Sequence, residues 1–97
     1  ESTQLVEFTL SQNYPNPFNP TTILKYDLPE DAMVNITIYD MMGRRIKTLV
    51  NGPKSAGYRS VIWDATNDYG KPVSAGLYLY TIQAGSFRQT RKMILLK

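Results

Sequence analysis

The sequence contains neither cysteine nor histidine. That excludes disulfides, thiolate nucleophiles, zinc sites of the usual kind and histidine general bases together. A chain without cysteine suits any compartment, so redox chemistry does not locate it. No apolar run exceeds four residues, reached at Leu77–Tyr80 and Met93–Leu96. A membrane-crossing helix needs about 20, so no transmembrane segment is expected. No acid follows Asp68; beyond it stand only Lys71, Arg88, Arg91, Lys92 and Lys97. Five cations across 29 residues make no cluster, and no aromatic pattern interleaves them. A solvated strand face is the expected reading, and a nucleic-acid partner is not expected.

Catalytic patterns are missing as well. There is no GxSxG and no glycine-rich phosphate loop. Glu7, Asp27, Asp40 and Asp64 each stand alone on or at the end of a strand, so no paired carboxylates for glycoside hydrolysis are in view. The chain reads as a non-enzyme that needs no cofactor. It begins at Glu1 with no basic-apolar leader, which reads as a piece of a longer protein without a secretory signal peptide.

What is present is a folding sequence. Its 97 residues fit one domain, and 42% hydrophobic with 20% charged residues is a globular balance. Apolar residues recur with period two: Val6-Phe8-Leu10, Leu24-Tyr26-Leu28, Val34-Ile36-Ile38, Val61-Trp63 and Tyr78-Tyr80-Ile82. Around Tyr78–Ile82 both strand faces read as buried. Turn signals fall between the runs: Asn13–Pro20, Leu28–Asp31, Asp40–Arg44, Asn51-Gly52-Pro53, Asn67–Pro72 and Ala84-Gly85-Ser86. Strands are predicted at about 5–10, 22–28, 33–39, 45–50, 58–64, 76–83 and 87–96. Seven short strands with turns between them predict an all-β, immunoglobulin-like antiparallel sandwich. Leu24, Tyr26, Ile36, Ile38, Val61, Trp63, Tyr78, Tyr80 and Ile82 are the predicted core.

Three features offer binding chemistry. Asp64, Asn67 and Asp68, closed by Gly70, are oxygen donors in one loop. Their spacing lacks the alternate positions and distal glutamate of an EF-hand. An Asx-turn, with side chains bonded to nearby backbone, is the expected reading beside a calcium loop. Tyr14, Phe18, Tyr58 and Tyr69 are aromatics in or beside loops, which a sugar-binding module would present as platforms; most other aromatics read as core. Third, Tyr14-Pro15-Asn16-Pro17-Phe18-Asn19-Pro20 is stiffened by its prolines and carries one apolar anchor, Phe18.

That third run, with Thr21-Thr22 after it, resembles the opening of type A C-terminal sorting domains of the type IX secretion system. The resemblance continues through Lys25–Pro29, Ile38–Arg44, Ala56-Gly57-Tyr58, Trp63-Asp64, Gly70–Val73 and Ser74–Tyr78, and closes with Gln89–Lys97. The Trp-Asp and Gly-x-Tyr parts are also similar to the immunoglobulin-like domain of flagellar hook-capping proteins.

The resemblance implies a non-catalytic address on a secreted protein of Bacteroidetes or a related Gram-negative phylum. Residues 1–97 would be a single sorting domain, with 1–12 a lead-in strand and linker to an upstream cargo of the same chain and 13–97 the family-like region. The implied partners are the outer-membrane translocon and a cell-surface sortase, with the cargo secreted or held at the surface. The domain itself is expected to be monomeric. A carbohydrate-binding module or a structural spacer appended to a secreted hydrolase is the alternative. The candidate signal is the last strand: Phe87, Arg91, Lys92, Met93, Ile94, Leu95, Leu96 and Lys97, presented by a hairpin at Gly85. Its apolar run Met93–Leu96 is expected to complete the core, and as an edge strand it could add to a partner's sheet.

Overall fold

Alternation sends successive side chains to opposite faces of a strand, and residues 6–96, described by a computed structural model, use it throughout. The strands are β1 (Thr9–Leu10), β2 (Thr22–Leu28), β3 (Ala32–Asp40), β4 (Arg45–Lys54), β5 (Gly57–Trp63), β6 (Gly76–Ala84) and β7 (Phe87–Leu95). They form two antiparallel sheets, ordered β1-β2-β5 and β4-β3-β6-β7. This is the immunoglobulin-like sandwich the sequence predicts.

The core lies between the sheets. Thr22, Leu24, Tyr26 and Leu28 of β2 face inward while Lys25 faces solvent. Across the second sheet, Ile36 stands opposite Ile82 and Ile38 opposite Tyr80, all fully buried. Trp63 is buried too and meets Tyr78 edge-on, ring centroids 5.4 Å apart. Each such side chain contributes about 1.5–3 kcal/mol by leaving water. Among the described residues, no buried side-chain nitrogen or oxygen lacks a hydrogen bond.

The structure corrects several expectations. Asn51-Gly52-Pro53 is no turn but the end of β4, where Met33 pairs with Pro53. Proline is tolerated because β4 is an edge strand, where its missing N–H faces away from the ladder. The reversal falls at Ser55-Ala56, and the Asp31 carboxylate accepts the Ala56 N–H there (2.8 Å). β4 also carries two bulges. Val50 and Thr48 pair with Ile36 and Thr37, leaving Leu49 over; Lys47 and Arg45 pair with Ile38 and Tyr39, leaving Ile46 over. Both extra residues end partly buried against the core.

The first strand is shorter than predicted. β1 holds only Thr9 and Leu10, opposite Asp27 and Tyr26, because β2 stops at Leu28 before Pro29 and leaves earlier residues no ladder. Residue 5 lies outside the described residues. Val61 is half-buried, at the margin of the core. On β6, Leu77 is exposed and Leu79 half-buried, so that strand is not buried on both faces along its whole length.

Candidate functional site

β6 and β7 form a hairpin in which Ala84 pairs with Phe87 across a two-residue turn, Gly85-Ser86. Gly85 has φ +59°, which such a turn favours at its first position and which a Cβ would strain. β7 ends the sheet order, so it is an edge strand. Its pleat divides the candidate signal. Met93 and Leu95 are buried; Arg88, Lys92, Ile94 and Leu96 are exposed. Met93–Leu96 therefore does not enter the core as a block, because alternate side chains leave it. Phe87 is half-buried and stacks on Phe8, centroids 5.5 Å apart and 14° from parallel. Arg91 is half-buried, its Nε donating to the Leu10 carbonyl at 2.6 Å. Lys97 lies outside the described residues.

The proline-rich run occupies much of the edge of β7. The Phe18 N–H donates to Ile94 O (3.0 Å), and the Leu96 N–H donates to Phe18 O (2.8 Å). Asn16 Oδ1 accepts the Ile94 N–H (2.9 Å), and Gln12 Nε2 donates to Lys92 O (2.7 Å). The edge expected to be open to a partner's strand is thus closed by the chain itself from Lys92 to Leu96. Among the described residues, the half nearer the hairpin, Arg88–Thr90, has no strand paired on that side.

The run is held from inside as well. Phe18 is buried beneath Trp63, centroids 5.8 Å apart. Asn13, 2% exposed, donates to Pro15 O and to Thr22 Oγ1, and Thr22 Oγ1 donates to Pro15 O. The Tyr80 hydroxyl accepts the Asn13 N–H and donates to Ser11 O, both at 2.8 Å. That donation needs the neutral phenol, and burial raises the Tyr80 pKa above its usual value. Tyr78 is raised by burial too, and its hydroxyl donates to Ser74 O. Sequence reasoning finds Phe18 but misses Gln12, Asn13, Thr22 and Arg91 as ties. The available signal was the density of Asn and Thr around the prolines, since their short side chains bond nearby backbone.

In the acidic loop every singled-out oxygen donor is already hydrogen-bonded, Asp64 and Asn67 within the loop and Asp68 to β4. Asp64 Oδ1 accepts from the Thr66 N–H and hydroxyl, and this hydroxyl bond chiefly lowers the Asp64 pKa. Asn67 Oδ1 accepts the Tyr69 and Lys71 N–H groups. Asp68 accepts the Thr48 N–H and lies 3.6 Å from Arg45. Asp64 and Asn67 thus make Asx-turns, and Asp68 ties the loop to β4. Tyr69 is exposed on this loop. Tyr14 and Tyr58 instead share the outer face of the three-stranded sheet: Tyr14 pairs with Ile23, and Tyr58 lies opposite Asp27. A shallow depression of about 340 Å³ on this face is lined by Ser11, Lys25, Asp27, Tyr58, Arg59 and Ser60.

The sequence pattern of the FlgD Ig-like domain matches residues 12–86. No curated protein matches the chain. Several solved structures resemble it, among them the following three. Dimeric latent PorU from Porphyromonas gingivalis superposes with a TM-score of 0.71 at 21% identity, over 95% of this chain and 10% of PorU. PorZ, an essential surface component of the type IX secretion system of the same organism, gives 0.63 at 18%, over 89% of this chain and 11% of PorZ. FlgD from P. aeruginosa gives 0.60 at 19%, over 96% of this chain and 74% of FlgD. The chain spans about a tenth of the length of PorU and PorZ. Identities this low show a shared fold alone.

Proposed function

The chain belongs to the FlgD Ig-like domain family, and from that premise we propose that it is the non-catalytic sorting domain of a secreted protein. It directs an attached cargo across the outer membrane by the type IX machinery and to the cell surface. The observation that carries this reading is the fold shared with domains of PorU and PorZ, the second described as a surface component of that system. The sorting-domain motifs along the chain support it. Its partners would be the translocon and a surface sortase.

Among the described residues, the exposed side chains that β7 and the residue after it offer a receptor are Arg88, Thr90, Lys92, Ile94 and Leu96. Met93 and Leu95 act indirectly, by holding the strand in place. The test is a reporter fused to the full chain in a type IX-competent host. Removing residues 88–97 or introducing Lys92→Glu should retain the reporter inside the cell. Undiminished surface display of both variants would refute the reading.

One observation favours a second reading, a carbohydrate-binding module. Tyr58 lines the depression beside Lys25, Asp27 and Arg59, and Tyr14 is exposed on the same sheet face, as stacking platforms beside hydroxyl-binding groups would be. Co-sedimentation with insoluble polysaccharides, abolished by Tyr58→Ala, would establish it; no binding by the unaltered domain would end it.

A further inference from the structure

The exposed residues of β7 do not stand alone. On the outer face of the four-stranded sheet, Ile94 lies directly opposite Leu77, and Lys92 lies opposite Leu79, which in turn faces Tyr39. Leu77 is 45% and Ile94 39% exposed, while Leu79 and Tyr39 are half-buried. An apolar strip thus runs across β3, β6 and β7 at the end of the sheet away from the hairpin. Leu77 and Tyr39 lie 17 and more residues upstream of Ile94, so a C-terminal peptide shorter than 21 residues contains neither.

The unpaired charge on the strip is a cation, Lys92, while Arg45 beside Tyr39 is offset by Asp68 at 3.6 Å. Among the described residues, no Asp or Glu occupies an outward position on these four strands, whereas Lys92 and Arg45 do beside the strip and Arg88 does at the hairpin end. Arg45 has Asp68 as a partner; among the described residues, Arg88 and Lys92 form no ion pair. A second copy of the chain would bring cation against cation, which disfavours self-association through this face. An apolar surface rimmed by carboxylates would meet both the strip and its cations.

We propose that this composite face, centred on Leu77 and Ile94, docks an apolar, carboxylate-rimmed protein surface of the secretion machinery. The proposal rests on the sorting reading and adds that the address is three-dimensional: it needs folded β3 and β6 beside β7.

The test uses the full chain fused to a reporter, with Leu77→Glu, Leu77→Lys and Leu77→Thr, and Met33→Glu as a control at the opposite end of the same face. Melting of each purified domain is measured alongside. Leu77→Glu should lower surface reporter about tenfold, the scale of losing one anchoring contact. Leu77→Lys, which removes the same apolar surface without repelling carboxylates, should lose less, and Met33→Glu nothing. If Leu77→Glu lowers the melting temperature, Leu77→Thr, which keeps a strand-forming residue, decides instead and should lose several-fold. Full display of the Leu77 variants, with display still lost on Lys92→Glu, would show a linear signal and overturn the proposal alone. Equal losses for Glu and Lys would overturn the acidic partner. Sedimentation of the unaltered domain with anionic phospholipid vesicles, abolished by Leu77→Glu, would assign the face to a membrane and overturn it as well. Display that survives removal of residues 88–97 would instead end the sorting reading.

Discussion

Replacing Phe18 with alanine separates two ways in which the proline-rich run could hold β7. The substitution keeps the backbone N–H and carbonyl that bond Leu96 and Ile94, and removes only the ring packed on Trp63. A buried phenylalanine truncated to alanine loses about 3–5 kcal/mol. Each ordinary hydrogen bond from the run to β7 contributes about 0.5–1.5 kcal/mol. Packing should therefore dominate: Phe18→Ala should cost about 3–5 kcal/mol, and Asn16→Ala, which removes the acceptor of the Ile94 N–H, about 1 kcal/mol. A small domain has about 5–15 kcal/mol in all, so the first variant stays folded with little margin. Trp63 is the only tryptophan and is buried, so its fluorescence follows urea unfolding directly. With a urea slope of about 1–3 kcal/mol per molar, the Phe18→Ala midpoint should fall by roughly 2 M. Amide exchange at Leu96 should quicken in both variants. A Phe18→Ala loss below about 1 kcal/mol would refute the claim that the ring is core.

Three further outcomes follow from the same contacts. Trp63→Ala should cost about 3–5 kcal/mol, measured by circular dichroism melting because the fluorophore is gone. Tyr80→Phe leaves the buried Asn13 N–H without its acceptor and should cost about 1–3 kcal/mol in urea titration; a neutral result would mean that the hydroxyl bridge is dispensable. Stability should be level across neutral pH and fall at both ends, read from thermal melts. Burial raises Tyr26, Tyr78 and Tyr80, so the unfolded chain releases protons from about pH 10 while the native state still holds them, and stability drops above that pH. At the acid end, the Arg44 N–H lowers Asp40 and the Thr66 hydroxyl lowers Asp64. Their contribution is whole above about pH 4 and is lost as pH falls below it.

Alternation made the sandwich legible. Leu24, Tyr26, Ile36, Ile38, Tyr80 and Ile82 are inward by parity, and the structure buries all of them. Parity fails where the ladder is irregular. Gly52-Pro53 carries strong turn chemistry, yet an edge strand absorbs it, and only knowledge that β4 is an edge would have told the two apart. Bulges at Leu49 and Ile46 are likewise invisible without the register of β3. The candidate site was legible as a segment but not as a surface. A run such as Met93–Leu96 reads as uniformly apolar, whereas the pleat divides it between core and solvent. The partners of that surface, Leu77 and Tyr39, come from strands whose adjacency depends on pairings across more than 15 residues.

The run from Leu10 to Phe18 travels in the same direction as the end of β7. Ties join Leu10 to Arg91, Gln12 to Lys92, Asn16 to Ile94, and Phe18 to both Ile94 and Leu96. Two neighbours that run parallel respond to traction in a particular way. Tension drawn backward on the earlier segment and forward on β7 acts along both strands, so the five bonds are sheared together. An antiparallel hairpin pulled from its open end would instead yield one rung at a time. Forced unfolding is governed by the rate of barrier crossing rather than by equilibrium stability. The clasp therefore gives the domain a mechanical strength along the direction of β7 that its modest size and lack of covalent cross-links would not foretell.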